Sequence, residues 1–421
     1  MDNRESVDII EKEHPFYNKV FINNWLNFFN ETQKSFFKSV TPIPFSKNKT
    51  FGYYFNIGKN ITNGQLYNIN ENEDDYKKSV FLIYDVLSDR HQQYRTKNKG
   101  FVVKKVSQYQ GFMSFLGDYD NFDEYFNNQF SSKSRYNIRK NYRILESNFN
   151  VSFKVFKGAI DKSEYDFIFE KLIELIKKRF YSLGKDNNIV NLRDYYYSLC
   201  YELILENKAS FNVLYVDEDP IAISMSFLSD RELFFAITTF DIDYRRYNLG
   251  HILIFNMMKW CYQNDILIFD YSKGEYDYKK RWSNKSYSFE NHIIYDSKSF
   301  KSRLIGGYLY NYFVFKQFLR DKKVNTLYSK AKFMFKKEEM KLTNLSFKRL
   351  NNFSLSSENY EKIERGSTKK IIKLKNIKGA VNDVLYSNPV GIDNIDLFKS
   401  KVSEVYLLKI EEKYFSINLS I

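Results

Sequence analysis

Two stretches of this chain hold residue types whose order could do chemistry, one by binding phosphate and the other by moving protons. The first runs Asp243-Tyr244-Arg245-Arg246-Tyr247-Asn248-Leu249-Gly250-His251-Ile252-Leu253, a basic loop that leads into an apolar helical period with glycine at the entrance. A helix start exposes unpaired N–H groups and the positive end of the helix dipole, both of which suit phosphate oxygens. Gly250 lets a diphosphate approach the backbone, and Arg245 and Arg246 can add charge-assisted hydrogen bonds. A capped helix on a solvated loop is the structural alternative. The second stretch runs Phe269-Asp270-Tyr271-Ser272-Lys273-Gly274-Glu275-Tyr276-Asp277-Tyr278-Lys279-Lys280-Arg281-Trp282. Here a carboxylate ends a buried strand, and a glycine turn and a Tyr-Lys-x-x-Trp segment follow it. Asp270 is a candidate proton acceptor, Lys279 or Arg281 can orient an anionic acceptor, and Tyr278 can protonate a leaving group. A strand-end aspartate is also a common turn former.

A third set lies on a helix. Ser131–Glu146 has Ser131 or Ser132 as N-cap, with Ile138, Tyr142 and Leu145 on one face and Arg135, Arg139 and Arg143 at i, i+4, i+8 on another. That row suits an acidic sugar or a sugar-nucleotide phosphate; a solvated face is the other reading.

The elements that must position these groups follow from periodicity. Val151–Phe156 alternates as a strand, and helices are expected near 161–183 and 191–206. Ser210–Val216, Pro220–Leu228 and Glu232–Phe240 are apolar runs with short acidic connectors, which predicts an antiparallel meander. The loop at 241–249 leads into a helix through Ile252, Leu253, Phe255, Met257 and Trp260, and Ile266–Tyr271 is a buried strand. Earlier, Trp25, Phe28 and Phe29 have helical spacing, 60–64 is a turn, and Ser79–Leu87 and Phe101–Val106 have strand length. Later, Arg303–Phe318 is an aromatic helix, and Lys369–Leu374 and Val402–Ile410 alternate as strands. The expected divisions are 1–130, an N-terminal domain; 131–300, the domain with the chemistry; 301–340, a basic aromatic helical segment; and 341–421, a small β-rich appendage.

Bulk properties narrow the function classes. With 421 residues the chain exceeds one ordinary core, and 43% hydrophobic residues, including 40 Phe and 35 Tyr, exclude disorder. The net charge of +14 invites a nucleic-acid reading, but Lys accompanies Asn, Ile, Phe and Tyr throughout, so a solvated basic surface accounts for it better. Cys200 and Cys261 read as core thiols of a reducing compartment, and His14, His91, His251 and His292 have no ligand spacing, so no metal site is expected. No secretory leader and no apolar run of membrane-spanning length are recognisable, so the expected location is cytoplasmic.

The segments Ser-Lys-Ser-Arg-Tyr-Asn-Ile-Arg-Lys (132–140), Asn-Leu-Gly-His-Ile-Leu (248–253) and Phe-Asp-Tyr-Ser-Lys-Gly…Tyr-Lys-x-Arg-Trp (269–282) resemble the GNAT superfamily of acyltransferases, in its branch related to the cellulose-biosynthesis protein CelD and to the FemABX peptidyltransferases. The resemblance implies a mixed α/β (α+β) GNAT fold built as tandem units with the first degenerate, and acetyl-CoA or another acyl-CoA as donor. It implies that Thr239 and Phe240 hold the pantetheine arm like an added strand, and that Arg245, Arg246, Asn248, Leu249, Gly250 and His251 hold the diphosphate. Ile252 stands where the family pattern has a second small residue. Asp270, Lys279 and Tyr278 are then the expected catalytic set, and Arg135, Arg139 and Arg281 the substrate set. The implied acceptor is an amine, such as an amino sugar of polysaccharide or cell-envelope synthesis. Two alternatives stand beside this: a Fem-like transferase that uses aminoacyl-tRNA, and a non-catalytic module at a membrane surface, suggested by the aromatic and basic helix 303–318.

Overall fold

The computed structural model describes residues 15–418 except 32–33, 63, 71, 89–99, 323, 325–345, 352, 354, 357–358, 366–373 and 375–376. In chain order its elements are α1 (Lys19–Phe28), β1 (Ser35–Phe37), β2 (Val40–Lys47), β3 (Tyr54–Asn56), β4 (Asn68–Ile69), β5 (Val80–Leu87) and β6 (Phe101–Phe115). There follow α2 (Phe122–Gln129), α3 (Ser132–Asn148), β7 (Val151–Phe156), α4 (Lys162–Ser182), α5 (Asn188–Asn191), α6 (Arg193–Leu205), β8 (Ala209–Val216), β9 (Asp219–Leu228) and β10 (Glu232–Phe240). The remainder are α7 (Leu249–Gln263), β11 (Ile268–Lys273), α8 (Asp277–Trp282), β12 (Lys285–Asp296), α9 (Phe300–Asp321), β13 (Ser346–Leu350), β14 (Tyr360–Arg365), α10 (Lys378–Ser387), β15 (Ile395–Ser400), β16 (Val405–Ile410) and β17 (Lys413–Asn418).

Twelve strands form one mixed sheet in the order β1-β2-β3-β5-β12-β6-β11-β10-β9-β8-β7, with β4 on β2. The predicted meander is present as β8-β9-β10. Its first turn is tight: Val216 faces Asp219, and Asp217 takes φ 52° between them. Every residue of β8 is buried, which explains why those strands read as continuous apolar runs. Ser131 caps α3 by accepting from Ser134 N at 3.3 Å, as its sequence suggested.

Helices cover both faces of the sheet. Residues from α1, α4, α6 and α9 build one core, and residues from α2, α3 and α7 build the other. The second core continues into the C-terminal module, where α10 lies beside a separate five-stranded antiparallel sheet, β13-β17-β16-β15-β14. The mixed α/β class and the β-rich appendage are thus as expected. Of the predicted tail strands, Val402–Ile410 corresponds to β16, while 369–373 lies outside the described residues.

Strand β6 is the seam of the large sheet. It pairs with β12 along its length and with β11 on its other side, so strands that precede residue 130 and strands that follow it share one ladder. The long β12, which returns to pair with both β5 and β6, had no counterpart among the sequence-based elements. Its run Lys285-Ser-Tyr-Ser-Phe-Glu-Asn-His-Ile-Ile-Tyr-Asp mixes polar and apolar residues without one clean period.

Candidate active site

The site begins where two neighbouring strands part. β10 and β11 are parallel and pair only through Glu232↔Ile268, Leu233↔Phe269 and Phe234↔Asp270. Immediately afterwards β10 carries an irregularity between Phe235 and Ile237, yet stays on β9 as far as Phe240↔Ala222. β11 instead follows β6, with Lys273 opposite Gly111. The backbone of β10 from Ile237 to Phe240 therefore has no β11 partner, and a gap opens toward the start of α7.

That start is bare of side-chain caps. Asn248 is the N-cap in the left-handed region, φ 62°, with no capping side-chain bond, after a 3₁₀ turn over Ile242–Tyr247. His251 N bonds back to Asn248 O at 2.9 Å. A Cβ built on Gly250 would meet the Phe240 ring of β10 at 3.5 Å, ordinary van der Waals contact, and no other side chain within 4 Å. Leu249 and Ile252 point into the core and are fully buried. Ile252, the departure from the family pattern, is thus turned into the core, and the side chain that lies against Gly250 is Phe240. His251 is buried enough to hold its imidazole down at about 4, with Arg281 adding to the effect. Its Nδ1 accepts from Trp282 Nε1 at 2.9 Å, so it is neutral with the proton on Nε2.

Both loop arginines are taken up by α10. Arg245 pairs with Asp383 at 2.6 Å, and Arg246 donates to Asp383 O at 3.0 Å and Ser387 Oγ at 2.7 Å while stacking on Tyr386. Beneath them Lys378 reaches Asp241 at 2.8 Å and Asp219 at 3.2 Å. The guanidinium groups are directed at the C-terminal module and not held over the α7 entrance.

On the other side of the gap, Asp270 is fully buried. The Tyr287 hydroxyl lies 2.7 Å from both its oxygens, and Ser272 N donates to Oδ1 at 2.6 Å. Tyr287 can occupy this place because it lies over Gly111, where any Cβ would come within 2.3 Å of its ring. Lys279 is close by and 5% exposed. Its Nζ donates to Lys273 O at 2.7 Å and Ser272 O at 3.3 Å, carbonyls of β11 beyond the last pair with β10. Burial pulls the Lys279 ammonium down to about 8 against the pull of Asp270, and Lys273 lowers it further. Asp270 and Lys279 are thus brought close enough to interact electrostatically, and both are buried.

Tyr278 stands with Phe240 around a residue that the sequence reading missed, Arg179. The Arg179 guanidinium lies over the Phe240 ring at 4.3 Å and beside Tyr278, and no carboxylate among the described residues pairs with it. Burial pushes the Tyr278 hydroxyl well above its ordinary range, against the influence of Arg179, so it stays protonated. Arg179 closes the run Lys177-Lys178-Arg179 in the last turn of α4, which reads locally as ordinary complementation of a helix dipole. Thr239 is fully buried, and its Oγ1 has no hydrogen-bond partner.

The arginine row of α3 lies elsewhere. Arg135, Arg139 and Arg143 line a groove of about 720 Å³ with Phe255 and Lys259 of α7. Lys259 is nine residues along the helix from Gly250, about 14 Å at 1.5 Å per residue. Arg135 is partly structural there, since it donates to Asn127 O at 2.8 Å and to Phe130 O. Arg139 reaches Asp123 at 3.3 Å and covers the Phe126 ring. Arg281 lines a neighbouring groove of about 470 Å³ with Lys133 and Lys280. Among the described residues no three His, Cys, Asp or Glu side chains converge as metal ligands, and no helix is long and apolar enough to cross a membrane.

With this geometry in hand, comparisons with known proteins bear on the same segment. Residues 132–280 match the model of the acetyltransferase (GNAT) domain family, from the start of α3 into α8. No curated protein matches the chain. Among solved structures it is similar to FemX, at 10% identity over 73% of this chain and 98% of that one, TM-score 0.49. It is also similar to a conserved protein of unknown function from Bacteroides thetaiotaomicron, at 11% identity over 69% and 96%, TM-score 0.46. A third is the C-terminal domain of a putative lysylphosphatidylglycerol synthetase from Agrobacterium fabrum, at 11% identity over 73% and 97%, TM-score 0.43. By the family match alone, residues 132–280 are a GNAT acetyltransferase-like domain.

Proposed function

We propose that this chain is an acyl-CoA-dependent N-acyltransferase, and that its acceptor is an amine on an amino sugar or a related precursor of polysaccharide or cell-envelope synthesis. The observation that carries the reading is the gap between β10 and β11, which ends at the uncapped start of α7. A pantetheine arm would lie along Ile237–Phe240 as an extra strand, and its diphosphate would meet the backbone amides near Gly250. The amino-sugar acceptor rests on the likeness of the three motifs to the CelD-like branch.

In the reaction the amine nitrogen forms a bond to the thioester carbonyl carbon, and the carbon–sulfur bond breaks. The nitrogen gives up two protons on the way from ammonium to amide: the first, lost before attack, passes to a base and on to solvent, and the second, lost after attack, replaces the proton that the general acid hands to the thiolate. Lys279, held at about 8, has a neutral fraction near physiological pH and is the group suited to take the ammonium proton. Tyr278 stays protonated and is suited to supply the thiolate. Asp270, enclosed by Tyr287 and Ser272 N, acts as a positioning residue: its negative charge opposes the loss of charge on Lys279. Arg179, with no carboxylate of its own, would bind an anionic group of the acceptor near the amine. Most of the rate would then come from placement of the two substrates and from these fixed charges.

Calorimetry with acetyl-CoA and longer acyl-CoA esters tests donor and loop together, and thiol release on adding an amine tests transfer. Arg179→Met should raise the acceptor KM by roughly fiftyfold, the weight of one charge-assisted contact, and weaken acetyl-CoA binding by much less, through lost support of Phe240 and of Thr238 O. A second reading is favoured by one observation, the engagement of Arg245 and Arg246 by α10, which leaves a diphosphate with backbone amides alone. On that reading the donor is aminoacyl-tRNA. No heat with any CoA ester, together with transfer from charged tRNA, would replace the first proposal by the second.

A further inference from the structure

Helix α9 is apolar on two opposite sides. Its inner side, Ser302, Gly306, Leu309 and Phe313, is buried. Gly306 lies so close to β12 that a Cβ there would come within 2.5 Å of the Tyr295 ring. A helix packed in this way ordinarily turns polar residues outward. Here the outward side carries Phe300, Leu304, Tyr308, Phe315 and Phe318, 67%, 59%, 54%, 60% and 53% exposed. At 100° per residue these five fall within an arc of about 80°. The loop after β2 extends the patch: Phe51 is 50% exposed, and its ring is 5.6 Å from that of Tyr308. Six such side chains leave roughly 500 Å² of apolar surface bare, toward the upper end for a monomer.

The rim of this face is cationic. Lys47, Lys49 and Lys301 line a groove of about 730 Å³ beside Leu304 and Phe51, and Arg303 and Lys322 follow along the helix. The two nearby carboxylates are occupied: Asp321 accepts from Gln317 and Glu31 from Ser46.

We infer that this face docks on an anionic phospholipid bilayer, with the rings among the headgroups and the lysines reaching back to lipid phosphates. A second copy of the chain fits poorly, because a two-fold contact would set the same cations against one another. The cations along the edge of this face call for a negative partner. A transferase held in this way would take its acceptor at the membrane surface.

The test is co-sedimentation of the whole chain, without any acyl donor, so its outcome is independent of the transfer reading. Vesicles of phosphatidylcholine are compared with vesicles that also contain roughly one-third phosphatidylglycerol, at low and at physiological salt. The chain should bind only the anionic vesicles, and less as salt rises. Lys301→Glu and Arg303→Glu should each weaken binding roughly fivefold or more. The Leu304→Ser/Phe315→Ser pair should lower it at least tenfold, with unchanged circular dichroism and thermal midpoint. The proposal is overturned by no binding to anionic vesicles at low salt, or by binding that these exposed substitutions leave unaltered. It is equally overturned by a solution dimer that the Leu304→Ser/Phe315→Ser pair converts to monomer without any vesicle binding.

Discussion

Replacing Lys279 by methionine should change how stability depends on pH, and the size of the change follows from the site. Lys279 is 5% exposed, and burial takes its ammonium from 10.5 in the unfolded chain to about 8 in the fold. A folded value below the unfolded one means that the charged form is the less favoured in the fold. The wild type therefore carries a destabilising contribution that is full below pH 8 and fades as pH rises from 8 to 10.5. The depression corresponds to about 3 kcal/mol, of which about 2 kcal/mol is relieved between pH 7 and pH 9.5. Methionine removes that contribution at every pH. It also leaves the carbonyls of Ser272 and Lys273 without this donor, at a pH-independent cost of about 1–3 kcal/mol. The sign of the difference at pH 7 is a balance of these two, but its movement is not: between pH 7 and 9.5 the wild type should gain about 2 kcal/mol relative to the variant. Urea denaturation of both proteins at the two pH values measures it, and every other titrating group cancels in the comparison. A gap that stays constant would show that Lys279 is not held down by its surroundings. Transfer should follow the same group: the wild-type rate should rise through an inflection near 8, and the variant should lose both the rate and the inflection.

Lys378→Met should lower stability at pH 7 by about 2–3 kcal/mol, less than for a fully broken buried pair because Lys178 still reaches Asp241 at 2.8 Å. Burial alone would raise the Asp241 carboxyl, yet Lys378 and Lys178 together hold it well below the usual range; its contribution is therefore present above about pH 4 and lost on acidification, so urea midpoints of the variant should fall less steeply with acid than those of the wild type. Gly250→Ala should stabilise α7 by about 0.5–1 kcal/mol, since the new Cβ stands 3.5 Å from the nearest atom, while it weakens acetyl-CoA binding about tenfold; equal binding by calorimetry would mean that the diphosphate does not approach the backbone there.

How much was legible in the sequence depended on whether the determinants are local. The meander could be read because β8, β9 and β10 are apolar runs closed by turns of two to four residues. The entrance at Gly250 could be read because one glycine and one change of period mark it. The partners of the loop arginines could not, because Asp383 lies 138 residues from Arg245 and α10 carries no motif of its own. The enclosure of Asp270 was also hidden: its hydroxyl partner comes from β12, where Tyr287 is only one of several aromatics in an irregular run. Arg179 escaped notice for the opposite reason, since its local setting had a sufficient ordinary explanation.

The placement of β12 has a consequence for synthesis. The edges of β5 and β6 that face one another across the sheet are joined only by Lys285–Asp296, which pairs Lys285 with Met113 at one end and Asp296 with Phe101 at the other. A ribosome must add every residue from Phe115 to Lys285 before that slot begins to fill, on the order of ten to thirty seconds at ordinary elongation rates. Until then the nascent N-terminal third has two open strand borders, an invitation to wrong pairing that chaperones are suited to shield. A fragment that stops at residue 130 inherits the same unfinished edge for good, so expression of the N-terminal half calls for a chain that extends through Asp296.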